Sequence, residues 1–167
     1  MIVAITGTPC TGKSTLAKAL EAKGFHRIDV NALIKQRKLS GGYDRKRQCY
    51  VVDTAKLNRL LLHIIRWARQ EKRNVVIDSH LSHYLPSKAI DRCIVTTCDL
   101  KVLKRRLQKR GYSKAKIAEN LECEIMGVCE NEARERGHRV WVMDMTKGAK
   151  RGNVKSTILR KITQSRR

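Results

Sequence analysis

The sequence predicts an α/β protein in which a parallel sheet of five strands is flanked by helices. Short apolar runs alternate with longer segments of helical periodicity, which is the pattern of β–α–β units. The first apolar run, MIVAI, passes directly into GTPCTGKST (residues 7 to 15), a loop of the type that joins a buried strand to a helix. We therefore expect a single domain over residues 1 to 167.

The predicted elements follow each other in a regular order. Continuous apolar runs are typical of strands buried on both faces of a parallel sheet, and apolar positions three and four apart indicate helices. Only residues 38 to 50 interrupt the alternation. The predicted strands are 1 to 6, 25 to 30, 74 to 78, 92 to 97 and 139 to 144, and the predicted helices are 13 to 23, 55 to 71, 99 to 109, about 114 to 136, and 152 to 165.

The composition is that of a globular chain. Hydrophobic residues make up 41% of it, and no stretch approaches the roughly 20 apolar residues of a membrane span, so we expect no membrane partner. The N-terminal apolar run lacks a basic leader, which argues against a signal peptide. The six cysteines include no C-x-x-C pair, which favours reduced thiols and a cytoplasmic protein.

The charge balance is strongly basic. The chain has 37 lysines and arginines against 15 acids, a formal net charge of +22. Such an excess favours contact with a polyanion, RNA being the commonest, although a highly charged surface without a specific partner is the alternative. Aromatic residues are only 4%, so an RNA contact would be made to the phosphate backbone rather than by base stacking.

The loop GTPCTGKST matches the phosphate-binding pattern G-x-x-x-x-G-K-[ST]. Because a strand precedes it and a helix follows it, its backbone N–H groups are expected to converge on phosphate oxygens. Lys13 would neutralise the β and γ phosphates, and the Ser14 hydroxyl would bind Mg²⁺. The sequence therefore predicts a P-loop NTPase that uses ATP with Mg²⁺.

Two further segments carry candidate catalytic residues. Asp78 ends the apolar run NVVID, where its carboxylate would hold a Mg²⁺-bound water or cap the next turn, and His80 is either functional or a satisfied surface histidine. No functional role is expected for His83. The basic run from Lys101 to Arg110 is either a solvated face or part of a small lid whose arginines reach the transferring phosphoryl group.

Four blocks of sequence carry a family resemblance. They are TGTPCTGKST (6 to 15), GGYDRKRQCYVVD (41 to 53), VVIDSHLSHYLP (75 to 86) and KRRLQKRGYSKAKIAENLECEI (104 to 125). On these blocks the chain resembles the nuclear adenylate kinase family, also called coilin-interacting nuclear ATPase proteins, and is similar to its archaeal-type members. The match extends to about residue 136, and residues 137 to 167 follow the family only in outline.

The resemblance implies a nucleoside monophosphate kinase-like fold and a dual role. A monophosphate-binding insertion would occupy about 29 to 52, and a short lid about 109 to 119. The implied reaction converts ATP and AMP into two ADP, with ATP hydrolysis as a second activity. The family also acts in small ribosomal subunit maturation, so the implied partners are a platform ribosomal protein and ribosomal RNA or a pre-ribosomal particle.

The resemblance also implies roles by position. The ATP-binding residues would be Cys10, Gly12, Lys13, Ser14, Thr15 and Arg110, and the monophosphate-binding residues Lys35 and Tyr43. The catalytic residues would be Lys13, Asp78, His80, Arg106 and Arg110, and Mg²⁺ would contact Ser14 directly and Asp78 through water.

Two residues depart from the family pattern. Cys10 stands where the family usually has glycine, and a positive φ there would cost roughly 1 kcal/mol more for cysteine. Lys35 stands where the family tends to have arginine, so the bidentate contact with a monophosphate is lost. A kinase of another small metabolite, of the shikimate or gluconate type, is the alternative, against which the GGYD and DSH blocks argue.

Glutamates concentrate in the predicted helix from about 114 to 136, against the basic trend of the chain. A basic ribosomal protein would be attracted to such a surface. We therefore expect the protein partner to dock there, while the helix from 99 to 110 and the basic residues beyond Asp144 face RNA.

Overall fold

The computed structural model describes residues 1–44 and 49–148. The strands are β1 (Ile2–Thr6), β2 (His26–Asp29), β3 (Ser40–Asp44), β4 (Cys49–Val52), β5 (Val75–Asp78), β6 (Arg92–Thr97) and β7 (Val140–Asp144). The helices are α1 (Lys13–Glu21), α2 (Val30–Gln36), α3 (Thr54–Gln70), α4 (Leu100–Lys109), α5 (Lys114–Ile125) and α6 (Val128–Glu135). Short 3₁₀ turns cover Ser82–Tyr84 and Ser87–Ala89.

The main sheet has five parallel strands in the order β2-β5-β1-β6-β7, with β1 at its centre. Every residue of β1 is buried, as its continuous apolar sequence requires. Because all five strands run in the same direction, their carboxyl ends share one edge of the sheet. This edge carries the phosphate-binding loop, and the predicted α/β fold is confirmed.

The core lies on both faces of the sheet. Successive residues of β1 point to opposite faces, so Ile2 and Ala4 join one apolar cluster while Val3 and Ile5 join the other. The first cluster includes the apolar face of α3, and the second is covered by α1. The buried α3 residues are Leu57, Leu61, Ile65 and Ala68, and the buried α1 residues are Leu16, Ala17 and Leu20.

The described residues of the segment that interrupts the alternation belong to a hairpin, which helix α2 precedes. After α2, strands β3 and β4 pair in antiparallel fashion outside the main sheet, with Tyr43 opposite Tyr50. This region begins where β2 ends and lies within the predicted insertion. The predicted helix from 152 to 165 lies outside the described residues.

The prediction of one helix from about 114 to 136 is wrong. Helix α5 ends at Ile125, and α6 starts after Gly127, whose φ of 60° is left-handed. Glycine adopts this conformation without the steric cost of a side chain, and it commonly follows the end of a helix. The break leaves Ile125 and Met126 exposed at the junction.

Within residues 1–44 and 49–148, no helix combines the length and apolar character needed to cross a bilayer.

Candidate active site at the phosphate-binding loop

Two glycines of the phosphate-binding loop have a positive φ and lie close to neighbouring residues. Gly7 has a φ of +134°, and a Cβ atom there would lie 2.4 Å from the carbonyl oxygen of Thr96. Gly12 precedes α1 with a φ of +116°, and its Cβ would lie 3.1 Å from Met145. The Thr11 hydroxyl is 2.6 Å from the Thr96 hydroxyl and donates to the Thr8 carbonyl at 2.8 Å. These contacts fix the loop against the end of β6.

The start of α1 is open to an anion. Among the described residues no side chain caps this helix, so the N–H groups of its first turn keep their capacity to bind phosphate. Ser14 and Thr15 lie in this first turn and are exposed. The loop and the helix terminus together form the phosphate-binding arrangement that the motif predicts.

Lys13 folds back over the loop. Its Nζ donates to the carbonyl oxygens of Gly7 at 2.7 Å and Thr8 at 2.9 Å. Burial lowers the lysine pKa to about 8, so most of the ammonium remains protonated at neutral pH. The loop therefore holds a positive charge beside the N–H groups on which phosphate oxygens would bind.

Asp78 is a buried carboxylate at the end of β5 and is paired with an arginine that sequence reasoning missed. Arg27 of β2 donates to its Oδ2 from Nη2 at 2.6 Å and from Nε at 3.2 Å. The same Nη2 donates to Asp29 at 2.9 Å, and the other Asp29 oxygen caps α2 through the Ala32 N–H. This network connects the candidate metal carboxylate to the start of the predicted insertion.

The sequence feature that could have pointed to Arg27 is its charged side chain within a predicted strand. Parallel pairing places Asp29 beside Asp78 and Ile28 beside Ile77, which brings Arg27 within reach of the carboxylate. The pairing joins residues 51 positions apart, and no local pattern encodes it. The sequence alone therefore did not identify this contact.

The oxygen donors in the site fit Mg²⁺ bound together with a nucleotide. A serine hydroxyl and a carboxylate are hard oxygen ligands of the type that this ion prefers. In the described part of the chain, Asp78 Oδ1 has no hydrogen-bond partner. The same residues include no group of three or more His, Cys, Asp or Glu side chains that is placed to hold a metal. The ion would thus need phosphate oxygens and water besides Ser14 and Asp78.

His80 follows the end of β5 by two residues. The residue is exposed, but the surrounding protein still removes enough water to lower the pKa of its imidazole to about 4, and the Lys13 ammonium acts in the same direction. A neutral imidazole can accept a hydrogen bond from water or from an attacking hydroxyl. Lys13 is within electrostatic range of both Asp78 and His80 at this edge of the sheet, and the catalytic roles of the three residues stay predictions.

Comparison with known proteins identifies the family. Residues 3–127 match the AAA domain family. The adenylate kinase isoenzyme 6 homologues of Caenorhabditis elegans and Dictyostelium discoideum are 40% and 37% identical to this chain; the alignments cover 80% and 79% of it and 72% and 73% of theirs. The chain belongs to the adenylate kinase isoenzyme 6 family. By family and fold it is a P-loop kinase.

Comparison with solved structures supports the fold but does not identify the substrate. The shikimate kinase of Bacteroides thetaiotaomicron superimposes with a TM-score of 0.53 over 98% of this chain and 97% of its own, at 18% identity. At this identity the likeness shows the fold alone. The residues of this adenylate kinase isoenzyme 6 family member therefore determine which substrate it can bind.

Cys10, where the family resemblance implied glycine, adopts a left-handed backbone with a φ of 67°. Its side chain is half-buried against an apolar cluster formed by α4 and α5. The cysteine thus packs the phosphate-binding loop against the helices of the predicted lid region, a contact that glycine cannot make. The buried members of that cluster are Cys98, Leu103, Leu107 and Ile117.

Arg106 joins the phosphate-binding loop to the residues that follow β7. Its guanidinium donates to the carbonyl oxygens of Met145 at 3.0 Å and Thr146 at 2.9 Å, and more weakly at 3.4 Å to those of Cys10 and Thr11. A contact with the transferring phosphoryl group would require an exchange of these bonds. The catalytic role of Arg106 therefore stays a prediction.

The remaining predicted contacts lie on elements around the loop. Arg110 directly follows α4, is exposed, and has its guanidinium 5.8 Å from the ring centre of Tyr112. Lys35 is exposed in the last turn of α2, and Tyr43 lies in β3. The structure places these three residues on the predicted lid and insertion, and their nucleotide contacts stay predictions.

His83, for which the sequence indicated no role, is buried and doubly bonded. Its Nδ1 lies 2.6 Å from the Thr6 hydroxyl, and its Nε2 lies 2.7 Å from Glu132, which also accepts from the Tyr84 hydroxyl at 3.2 Å. Because Thr6 immediately precedes Gly7, this chain of contacts supports the loop from α6. These contacts engage Oε2 of Glu132, whose side chain stays partly exposed.

Four of the glutamates in the expected acidic docking surface already have partners within the protein. Glu132 is bound to His83, and Glu124 accepts the backbone N–H of Cys98 at 2.8 Å. Glu130 is paired with Arg134 at 2.8 Å, and Glu119 with Lys116 at 3.0 Å. Counting glutamates in a helix cannot show which of them have such partners, and docking on this surface stays a prediction. Glu122 and Glu135 are exposed.

Proposed function

We propose that this protein is a cytoplasmic, Mg²⁺-dependent adenylate kinase that converts ATP and AMP into two ADP and hydrolyses ATP more slowly. The observation that carries the proposal is the Asp78–Arg27–Asp29 network, which joins the metal carboxylate to the first residue of the insertion. An acceptor bound on that insertion would thus lie next to the phosphate-binding loop. The adenylate kinase names of the relatives support the same assignment.

Catalysis would consist of positioning and charge neutralisation. The Lys13 ammonium would balance the charge of the β and γ phosphates. Asp78, held through Oδ2 by Arg27, would present Oδ1 to a water molecule on the metal. Mg²⁺ held by Ser14 and Asp78 would supply Lewis-acid neutralisation of the phosphate charge. Arg110 would contact ATP from the lid, and Lys35 and Tyr43 would contact the monophosphate.

An assay of ADP formation tests this proposal. The rate is measured with Mg-ATP alone, and then with AMP, CMP, UMP, GMP, shikimate or gluconate added. We expect AMP to increase ADP formation at least tenfold over hydrolysis, in keeping with transfer to a positioned acceptor. An increase with shikimate or gluconate in place of the nucleotides would contradict the assignment.

Replacement of His80 should separate hydrolysis from transfer. If the neutral imidazole orients the attacking water, His80→Ala should lower phosphate release about tenfold or more and ADP formation from AMP by less than about threefold, because AMP carries its own nucleophile. His63→Ala, at an exposed position in α3, is the control. Equal losses in the two reactions would contradict this role.

We also propose that the protein acts in small ribosomal subunit maturation through transient binding of a platform ribosomal protein and contact with ribosomal RNA. The net charge of +22 supports a partner rich in phosphate. The exposed apolar residues Ile125 and Met126 at the α5–α6 junction, with the acidic Glu122 nearby in sequence, support a protein contact.

Charge reversal on the α5–α6 surface tests the protein contact. Glu122→Lys together with Glu135→Lys should weaken binding of the purified platform protein about tenfold in calorimetry, because both glutamates are exposed and would attract a basic partner. Glu21→Lys with Glu71→Lys changes the net charge equally at exposed sites on other helices and should have little effect. Equal weakening by the two pairs would rule out docking on this surface.

A further inference from the structure

A basic cleft lies at the opposite edge of the sheet from the phosphate-binding loop. It has a volume of about 620 Å³ and is formed where β1, β6 and β7 begin and where the second 3₁₀ turn passes beneath them. Its charged lining residues are Arg69, Lys88, Asp91, Arg92 and Arg139. None of these residues takes part in the site described above.

The cleft is positively charged because its single carboxylate is already engaged. Asp91 accepts from Arg69 at 3.2 Å and from the Ile2 backbone N–H at 2.6 Å. Lys88 and Arg139 are exposed, and neither forms an ion pair within the described part of the chain. At least three cationic side chains therefore face the cleft without a compensating carboxylate.

Arg92 is held in place but keeps an unused donor. Its Nη1 donates to the Asp91 carbonyl at 2.7 Å, and its guanidinium lies 5.2 Å from the ring centre of Trp141. Its Nε is buried and has no hydrogen-bond partner among the described residues. Because buried donors are nearly always paired, this guanidinium keeps unused hydrogen-bonding capacity beside the cleft.

The position of the cleft separates it from ATP. The phosphate-binding loop follows the carboxyl ends of the strands, whereas Arg92 begins β6 and Arg139 precedes β7. At a rise of about 3.3 Å per residue, strands of this length place the two edges about 15 to 20 Å apart. A ligand in the cleft would therefore not compete with nucleotide.

We propose that this cleft binds phosphate groups of an RNA backbone. Guanidinium groups match the geometry of phosphate oxygens, and a recessed site accommodates a strand better than the flat surface of a bilayer. A repeating polyanion would also engage the other cations of a chain with a net charge of +22, which a short acidic peptide would not. This inference depends on the proposed ribosomal role only for the identity of the RNA, which would then be ribosomal RNA.

The test is the affinity of the full chain for a fluorescent, mixed-sequence, single-stranded RNA of twelve nucleotides, measured by anisotropy over a range of salt concentrations with saturating Mg-ATP. The cleft variant carries Lys88→Gln, Arg92→Gln and Arg139→Gln. The control carries Lys101→Gln, Lys104→Gln and Arg105→Gln on α4, where the sequence predicted an RNA surface, and loses the same charge.

We expect the cleft variant to raise the Kd about tenfold or more and to reduce the slope of log Kd against log salt by about 2, since each phosphate contact with single-stranded RNA contributes about 0.7. The control should change the Kd less than about threefold. The double variant Lys88→Gln and Arg139→Gln, which keeps the Arg92–Trp141 contact, should show a weaker effect in the same direction. ADP formation by the cleft variant should be unchanged.

Four outcomes would overturn the proposal. Equal weakening by the two triple variants would mean that only total charge matters, and a larger loss in the control would place the RNA on α4. Much tighter RNA binding when Mg-ATP is left out would place the RNA at the phosphate-binding loop. Competition by polyglutamate at the same charge concentration would indicate a site for acidic proteins instead. Since ADP formation is measured separately, none of these outcomes bears on the kinase assignment.

Discussion

Asp78→Asn should lower the turnover number for ADP formation by about 10² or more and leave ATP affinity within about tenfold. The carboxylate lies at the end of β5, beside the loop but apart from its phosphate-binding N–H groups, so the substitution removes metal organisation rather than a nucleotide contact. Initial rates over a range of free Mg²⁺, with ATP binding measured separately by a fluorescent analogue, check both parts. A loss confined to ATP affinity would contradict the role assigned to Asp78.

Replacement of Arg27, the partner of Asp78, tests whether Arg27 orients the carboxylate or only supports the fold. Arg27→Gln removes a positive charge that lies 2.6 Å from Asp78 Oδ2. We expect the free Mg²⁺ needed for half-maximal rate, and for half-maximal binding measured with Mn²⁺ by electron paramagnetic resonance, to fall several-fold, because the carboxylate is then less neutralised. The turnover number should fall about tenfold as the carboxylate loses its fixed orientation.

The exposed pair of Arg69 and Asp91, with its atoms 3.2 Å apart, offers the matched control. Arg69→Gln removes an arginine of the same type from an aspartate at the other edge of the sheet and should change neither metal response nor turnover. If Arg27→Gln lowered the rate without any shift in metal dependence, Arg27 would only support the fold.

Gly7→Ala should destabilise the protein by about 3 kcal/mol and abolish measurable ATP binding. The new Cβ would lie 2.4 Å from the Thr96 carbonyl oxygen, a backbone atom that cannot rotate away, and the φ of +134° is strained for alanine. Relief of this clash would push the loop away from β6 and move the N–H groups that bind phosphate. Urea unfolding and ATP titration measure the two effects.

The variant Gly111→Ala separates the effect of the steric contact at Gly7 from the effect of a positive φ. Gly111 also has a positive φ, +77°, but a Cβ there meets no atom within 4 Å. Its substitution should therefore cost only about 1 kcal/mol and leave ATP binding intact. If the two alanine variants were equally unstable, the contact with Thr96 would not be what requires glycine at position 7.

The order of elements and the phosphate-binding loop were predictable from sequence because both depend on local patterns. Continuous apolar runs can only be buried on both faces, so β1, β5 and β6 were identified without knowledge of their neighbours. The motif from Gly7 to Ser14 combines glycines, lysine and a hydroxyl at fixed spacing, and Asp78 could be recognised because it ends a buried strand.

The tertiary structure decided the partners of these residues. Arg27 reaches Asp78 through the register of two neighbouring strands, and Glu132 reaches His83 across 49 residues. The basic cleft exists because the starts of three strands are side by side, although Arg69, Arg92 and Arg139 are far apart in the chain. Local sequence specifies which face of an element is apolar, but pairing and packing between distant segments determine which charges meet, which are buried and which remain available to a ligand.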